Sequence, residues 1–332
     1  MGGWRCVSAR NPAAHIITMR FIRPILLAFV FTAALSAQVA QPPQEEQDDS
    51  VTTLKVDVKL VNVFTTVTDK NGSPVADLSK ESFELFEDGV NQKISVFNRE
   101  SELPLSIVMG IDTSLSIKKD LPLEIESAKR FAASIVRPID AVSLFTFSEY
   151  VDEVVPFTSN LRKLERALKN VRTGAATALY DVLYLGSSAL MKRQGRKVIV
   201  VITDGGDTMS RVSYKDAVRA AQQAEAIVYS IVMVPIEASA GRDTGGEHAL
   251  IQISRDTGGK HYYATSLGQL DAAFKQIDRE LRTQYLLAYY PSHRLAESDF
   301  RHIEVRVKPK PGEVDGPIKV HHRTGYYTSK FE

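Results

Sequence analysis

The run Ile107-Val-Met-Gly-Ile-Asp112-Thr-Ser114-Leu-Ser116 is an apolar strand that ends in an acid and then offers two hydroxyls at alternate positions. Asp, Ser and Ser emptied into one loop supply the hard oxygen donors that suit a cation such as Mg²⁺. Two later segments share this character. Gly174-Ala-Ala-Thr177-Ala-Leu-Tyr-Asp181 sets a Thr at the start of a helical pattern, and Val198-Ile-Val-Val-Ile-Thr-Asp204-Gly-Gly-Asp207 is a second apolar strand closing on acids and glycines. Taken singly, each piece reads more readily as a cap or a turn, since caps are commoner than ligands. Taken together they predict convergence, because an open parallel sheet binds ligands beyond the carboxyl ends of its strands, where the strand order reverses.

The hydrophobic rhythm around these segments has two forms. Between Leu105 and Leu281, strand candidates at Ser106–Ile111, Ala141–Phe147, Glu153–Phe157, Val198–Thr203, Ile227–Val234 and His261–Ala264 alternate with helical patterns. The helical patterns run Leu121–Val136, Leu161–Val171, Ala178–Lys192, Tyr214–Glu225, Leu250–Arg255 and Leu267–Leu281. Such alternation predicts a doubly wound, mainly parallel sheet with helices on both faces. Ser106–Ile111 is expected at its centre, and the short link from Phe147 to Glu153 implies one antiparallel edge strand.

Outside that region the period is two. Val56, Val58 and Leu60 alternate with charged residues, then Val61, Val63 and Val67 continue on the other parity, which calls for a bulge near Leu60-Val61. Lys70-Asn71-Gly72 and Glu87-Asp88-Gly89 are turn signals beside strand candidates Phe83–Phe86 and Gln92–Phe97; Tyr285–Tyr290, His302–Lys308 and Ile318–Tyr327 follow the last helix. Neither strand-rich end can close a sheet core alone. The reading is therefore an α/β domain, residues 101–283, inserted into a β-sandwich whose halves are residues 51–100 and 284–332.

The D-x-S-x-S run at Asp112, Ser114 and Ser116, the helix-opening Thr177 and the T-D-G turn at Asp204 resemble the metal-ion-dependent adhesion site of von Willebrand factor type A domains. The resemblance implies a Rossmann-like fold over residues 101 to 283. It implies direct coordination by Ser114 and Ser116, coordination by Thr177 directly or through water, and Asp112 and Asp204 acting largely through water. Mg²⁺ is the implied ion, with Mn²⁺ or Ca²⁺ as substitutes. Val67-Thr-Asp-Lys-Asn-Gly-Ser-Pro-Val75, Phe86-Glu-Asp-Gly89 and the closing Arg323-Thr-Gly-Tyr326 are also similar to the secreted VWFA-related acidobacterial family.

The first 37 residues contain Arg5, Arg10, Arg20 and Arg23, no acid, and an apolar run from Ile25 to Leu35 before Ser36-Ala37. This is the layout of a secretory signal, with Met1 or Met19 as its start. An uncleaved segment would instead anchor the chain to a membrane, though the run is short for a span. Gln38–Ser50 is polar and acidic and reads as a flexible linker. The chain has 41 Lys and Arg against 40 Asp and Glu. Removal of the signal takes away four Arg and leaves an acidic excess, which argues against nucleic-acid binding. Cys6 is the only cysteine and lies in the signal, so a mature chain has neither disulfide nor thiolate site.

The expected function is metal-dependent binding, outside the cytoplasm, of a protein that offers an Asp or Glu carboxylate to the ion. A scaffold in which the cation only ties loops together is a second reading. A metal-dependent hydrolase is a third, against which stand Ser114 where a second carboxylate would be needed and the absence of a histidine near the three loops. Asp207 is expected to be a solvated turn residue, Ser148-Glu149 to be available to a ligand, and Ala240–Glu247 to be a rim loop. Asp112, Ser114 and Ser116 are expected on an exposed loop end.

Overall fold

The computed structural model describes residues 60–99, 103–115, 121–169, 171, 173–234, 244–292, 300–309, 314 and 316–328. The signal and linker readings, the alternation before Leu60, Ser116 and residues 240–243 of the glycine-rich loop lie outside these residues.

The described chain enters through β1 (Val61–Thr68), where Val61, Val63 and Val67 are buried on one parity. A hairpin follows, β2 (Phe83–Glu87) and β3 (Val90–Gln92), turning through Asp88 and Gly89. Both turn residues have positive φ, the left-handed backbone that an Asp-Gly pair supplies to a two-residue hairpin. After β4 (Ile94–Arg99) the α/β region runs β5 (Leu105–Asp112), α1 (Leu121–Ile135), β6 (Ala141–Phe147), β7 (Val151–Thr158), α2 (Leu161–Leu168) and α3 (Leu179–Met191). It continues through β8 (Arg196–Thr203), α4 (Tyr214–Gln223), β9 (Ala226–Met233), α5 (Thr244–Thr257), β10 (His261–Ala264) and α6 (Leu267–Arg282). The chain closes with β11 (Tyr285–Tyr289), β12 (Phe300–Val307), β13 (Lys319–His321) and β14 (Gly325–Tyr327).

The six-stranded sheet has the order β10-β9-β8-β5-β6-β7 and is parallel except for the edge pair β6/β7. From β5 the chain winds out through β6 and β7, then crosses back to β8 and winds the other way. The order therefore reverses between β5 and β8, and their carboxyl ends open the crevice that such a reversal creates. All eight β5 residues are buried, with Ile107, Met109 and Ile111 packed under α1 and α6 while Val108 packs under α3. Two apolar layers on opposite faces account for the continuous hydrophobic run of a strand covered on both sides.

The ends of the chain form two antiparallel sheets, β13-β1-β11-β4 and β14-β12-β2-β3, each mixing strands from before and after the α/β region. Val63, Leu85, Tyr285, Leu287 and Tyr289 lie between them in a third apolar cluster. Its tyrosine hydroxyls are partnered: that of Tyr285 donates to the Val75 carbonyl at 2.8 Å, and those of Tyr289 and Tyr326 both donate to Glu87.

Three expected elements differ. Gln92–Phe97 is not one strand, because β3 and β4 belong to different sheets and the chain changes layer at Lys93. Ile318–Tyr327 likewise divides into β13 and β14, in opposite sheets, with the His322 ring accepting from the Val305 N–H at the crossing. Helix α5 begins at Thr244, six residues before the expected Leu250. Its first turn takes in Gly245 and Gly246 from the expected rim loop, and Glu247 there complements the positive end of the helix.

Candidate metal centre

Asp112 ends β5 beside Thr203, the last residue of β8, since Ile111 and Ile202 are paired in register. The Thr203 hydroxyl donates to Asp112 Oδ2 at 2.6 Å, and the Ser114 backbone N–H donates to Asp112 Oδ1 at 2.8 Å. Both carboxylate oxygens are thus held by neutral donors, and the side chain is buried rather than on an exposed loop end, as is Ser114. Burial pushes the Asp112 carboxyl up to about 6; the hydrogen bonds from Thr203 and Ser114 oppose this, and the nearby charge of Asp204 adds to it.

The other loops are stitched to this one through their backbones. Gly174 donates to the Thr113 carbonyl at 2.9 Å, Thr113 to that of Phe147 at 2.8 Å, and Ala178 to that of Ser148 at 2.7 Å. Thr177 precedes α3; its N–H donates to the Thr208 hydroxyl at 2.9 Å and its carbonyl accepts from the N–H groups of Thr208 and Met209. The loop leaving β8 therefore grips the loop entering α3. Asp112, Ser114, Thr177 and Asp204 all lie on this interlocked edge, and Ser116 falls outside the described residues.

The donor set fits a hard cation. Asp112 is already held at both oxygens, which suits contact through water. The buried Thr177 side chain makes no hydrogen bond among the described residues, which leaves its hydroxyl oxygen available as a ligand. Two carboxylates within electrostatic reach, one of them buried, form an arrangement that a divalent cation relieves. Among the described residues no group of three or more His, Cys, Asp or Glu could hold a metal. A centre here is one of two acids and hydroxyls.

One expectation about a neighbour is corrected. Asp207 is not a free turn residue: its carboxylate accepts from the Ser210 hydroxyl and N–H and from the Tyr180 N–H, so it caps the start of α3. Glu149 has a local task as well: its exposed carboxylate accepts from the Ala175 N–H at 2.8 Å, and hydrogen bonds from its own and the Ala175 N–H groups hold its carboxyl below the usual range. Gly174 lies against this pair, where a Cβ would stand 2.1 Å from Glu149 Oε2 and 2.7 Å from Ser148 Cβ. Thr203, Thr208 and Asp181, which accepts from the Arg211 and Val212 N–H groups, are positioning residues that the sequence reading did not single out. Thr203 alone had a local signal, its place directly before Asp204.

Residues 107–206 match the family model of the von Willebrand factor type A domain, which bears out the resemblance read from the sequence. No curated protein matches the chain. Among solved structures, the chain is similar to the PilB minor pilin from Streptococcus sanguinis at 14% identity and a TM-score of 0.45, covering 55% of this chain and 62% of the pilin. It is similar to the protein BatB from Bacteroides thetaiotaomicron at 19% identity and a TM-score of 0.43, covering 53% and 98%. A third likeness is to the vWF domain of the type V pili tip protein Mfa5 from Porphyromonas gingivalis, at 13% identity and a TM-score of 0.43, covering 54% and 95%.

Proposed function

We propose that this protein is a divalent-cation-dependent binding or adhesion module whose partner is a protein outside the cytoplasm. The type A match supports an interaction module in general. The finer reading rests on one observation: Asp112, Ser114, Thr177 and Asp204 share a hydrogen-bonded edge at the reversal of the sheet, with the Thr177 hydroxyl unengaged. Ser114, Ser116 and Thr177 would hold Mg²⁺, with Mn²⁺ or Ca²⁺ as substitutes, while Asp112 and Asp204 balance its charge through water. Bound there, the ion supplies an open coordination position for an Asp or Glu carboxylate of the partner. Leu115, Tyr150 and Met209, exposed on three of the same loops, add apolar contact area. Export follows from the N-terminal basic and apolar segment. Among the described residues, no helix is long and apolar enough to cross a membrane.

Binding is favoured over hydrolysis by the surroundings of Asp112: a carboxylate held at both oxygens is poorly placed to attack, and its neighbour two residues on is a serine. Binding is favoured over a loop-tying role because the loops are already tied by the Gly174 and Ala178 amides. Hydrogen exchange tests this last point, with both amides expected to stay protected in EDTA. Capture of extracytoplasmic proteins on the immobilised chain tests the function, with capture in Mg²⁺ expected to vanish in EDTA. Undiminished capture in EDTA rejects the metal-bridged mechanism.

A further inference from the structure

At the other end of the sheet, the α/β region and the sandwich line an open cavity of about 350 Å³. Arg255 at the end of α5, with Lys260 and His261 around the start of β10, line one side; Thr68 of β1, with Lys319 and His321 of β13, line the other. Among the described residues, no carboxylate lines it. Lys260 is balanced by Glu280, whose Oε1 lies 2.6 Å from its ammonium. The side chains of Arg255 and Lys319 make no hydrogen bond or ion pair among the described residues. Glu247 is the acid that acts on His261, and it is engaged by the Tyr263 hydroxyl.

Among the described residues, the cavity thus carries two positively charged side chains with no ion-pair partner, Arg255 from the α/β region and Lys319 from the sandwich. Burial and the charges of Lys260 and Lys319 hold His321 down to about 4, so its ring is a neutral hydrogen-bonding group facing those charges. A concave site walled by one sign of charge focuses the potential and concentrates counter-ions of matching charge. Its size is at the small end of ligand pockets, and it lies between two modules, a common place for them.

We infer that this junction cavity binds a small dianion carrying a phosphate group, held between the Arg255 guanidinium and the Lys319 ammonium. Arginine supplies the planar fork that matches phosphate oxygens, and lysine supplies a point charge opposite. The site is separate from the candidate metal centre and does not depend on that reading.

The test is titration calorimetry of the full chain with inorganic phosphate and with glycerol 3-phosphate, in EDTA and at fixed ionic strength. Saturable one-site binding is expected, weakened about tenfold by Arg255→Gln or Lys319→Gln and about a hundredfold by both, in line with losing one charge-assisted contact each. Both side chains are exposed, and thermal melting verifies that the variants fold. Sedimentation with phosphatidylcholine vesicles containing phosphatidic acid tells whether the phosphate arrives on a lipid headgroup; loss of that binding in the double variant also supports the site. Absence of saturable binding to both small anions and to the vesicles overturns the inference, as does equal affinity in the double variant.

Discussion

At the amino end of the central sheet, Asp140 and Glu280 are buried carboxylates whose partners include cations. Asp140 accepts from the Arg137 guanidinium at 2.8 Å and from the Leu105 N–H at 2.8 Å, and Glu280 lies 2.6 Å from Lys260. At the carboxyl end Asp112 is equally buried, but its donors are neutral: the Thr203 hydroxyl and the backbone N–H and side chain of Ser114. The consequence is opposite in sign: hydrogen bonds and the charge of Arg137 outweigh burial and hold Asp140 below the usual carboxylate range, while burial pushes Asp112 up to about 6. The amino end pairs these two carboxylates internally and carries the sandwich, with Arg196 also donating to the Leu281 carbonyl just before β11. At the carboxyl end Asp112 makes no ion pair among the described residues.

Breaking the amino end should have the largest effect. Asp140→Ala leaves Arg137 and the Leu105 N–H without their acceptor, and removal of one partner from a buried pair costs about 3 to 5 kcal/mol. Urea unfolding should show a loss at the lower side of that range, because Arg137 is partly exposed. A loss under about 1 kcal/mol would mean that the junction is not held by this pair.

Next comes Gly174→Ala at the opposite end. The added methyl has no room against Ser148 and Glu149, and overpacking of this kind costs about 1 to 3 kcal/mol. Because this loop also carries Thr177, Mg²⁺ affinity should fall with stability. Restored affinity in a Gly174→Ala, Glu149→Ala pair would show that the clash, rather than the glycine backbone, matters.

A smaller effect should follow pH at the sandwich. Folding lowers the pKa of His321 from 6.5 to about 4, by burial and the charges of Lys260, Lys319 and His322. The unfolded chain therefore takes the proton first. The contribution of His321 is complete above 6.5 and is lost as pH falls toward 4. Unfolding curves across that window should be flatter for His321→Gln than for wild type, and equal slopes would remove His321 from the account.

How far these contrasts are legible in the sequence depends on the range of the interaction. Ala141–Phe147 is read with its observed bounds and the central place of the Ser106–Ile111 strand is read correctly, because burial on both faces writes itself into a continuous apolar run. The layer changes at Lys93 and between β13 and β14 leave no local mark: the alternation is the same whichever sheet a strand joins. Asp207 and Glu149 look like turn acids because the amides they hold lie 27 and 26 residues away. The burial of Asp112 is hidden similarly, since it follows from Thr203 closing over it from a strand 91 residues later.

The smallest stability change should come from Asp112, the buried carboxylate of the proposed metal centre. Asp112→Asn keeps the side chain's size and leaves one oxygen to accept a hydrogen bond, so urea unfolding should shift by less than about 1 kcal/mol. It removes the buried negative charge, and with it the electrostatic reason for a divalent cation to settle on this edge. Calorimetric heat on adding Mg²⁺ should vanish, together with Mg²⁺-dependent partner capture. Asp140→Ala should do the reverse, lowering stability while the remaining folded protein still takes up the ion. If Asp112→Asn unfolds the protein while Mg²⁺ binding survives in its folded fraction, then Asp112 is a structural carboxylate like Asp140, and the contrast between the two ends of the sheet fails.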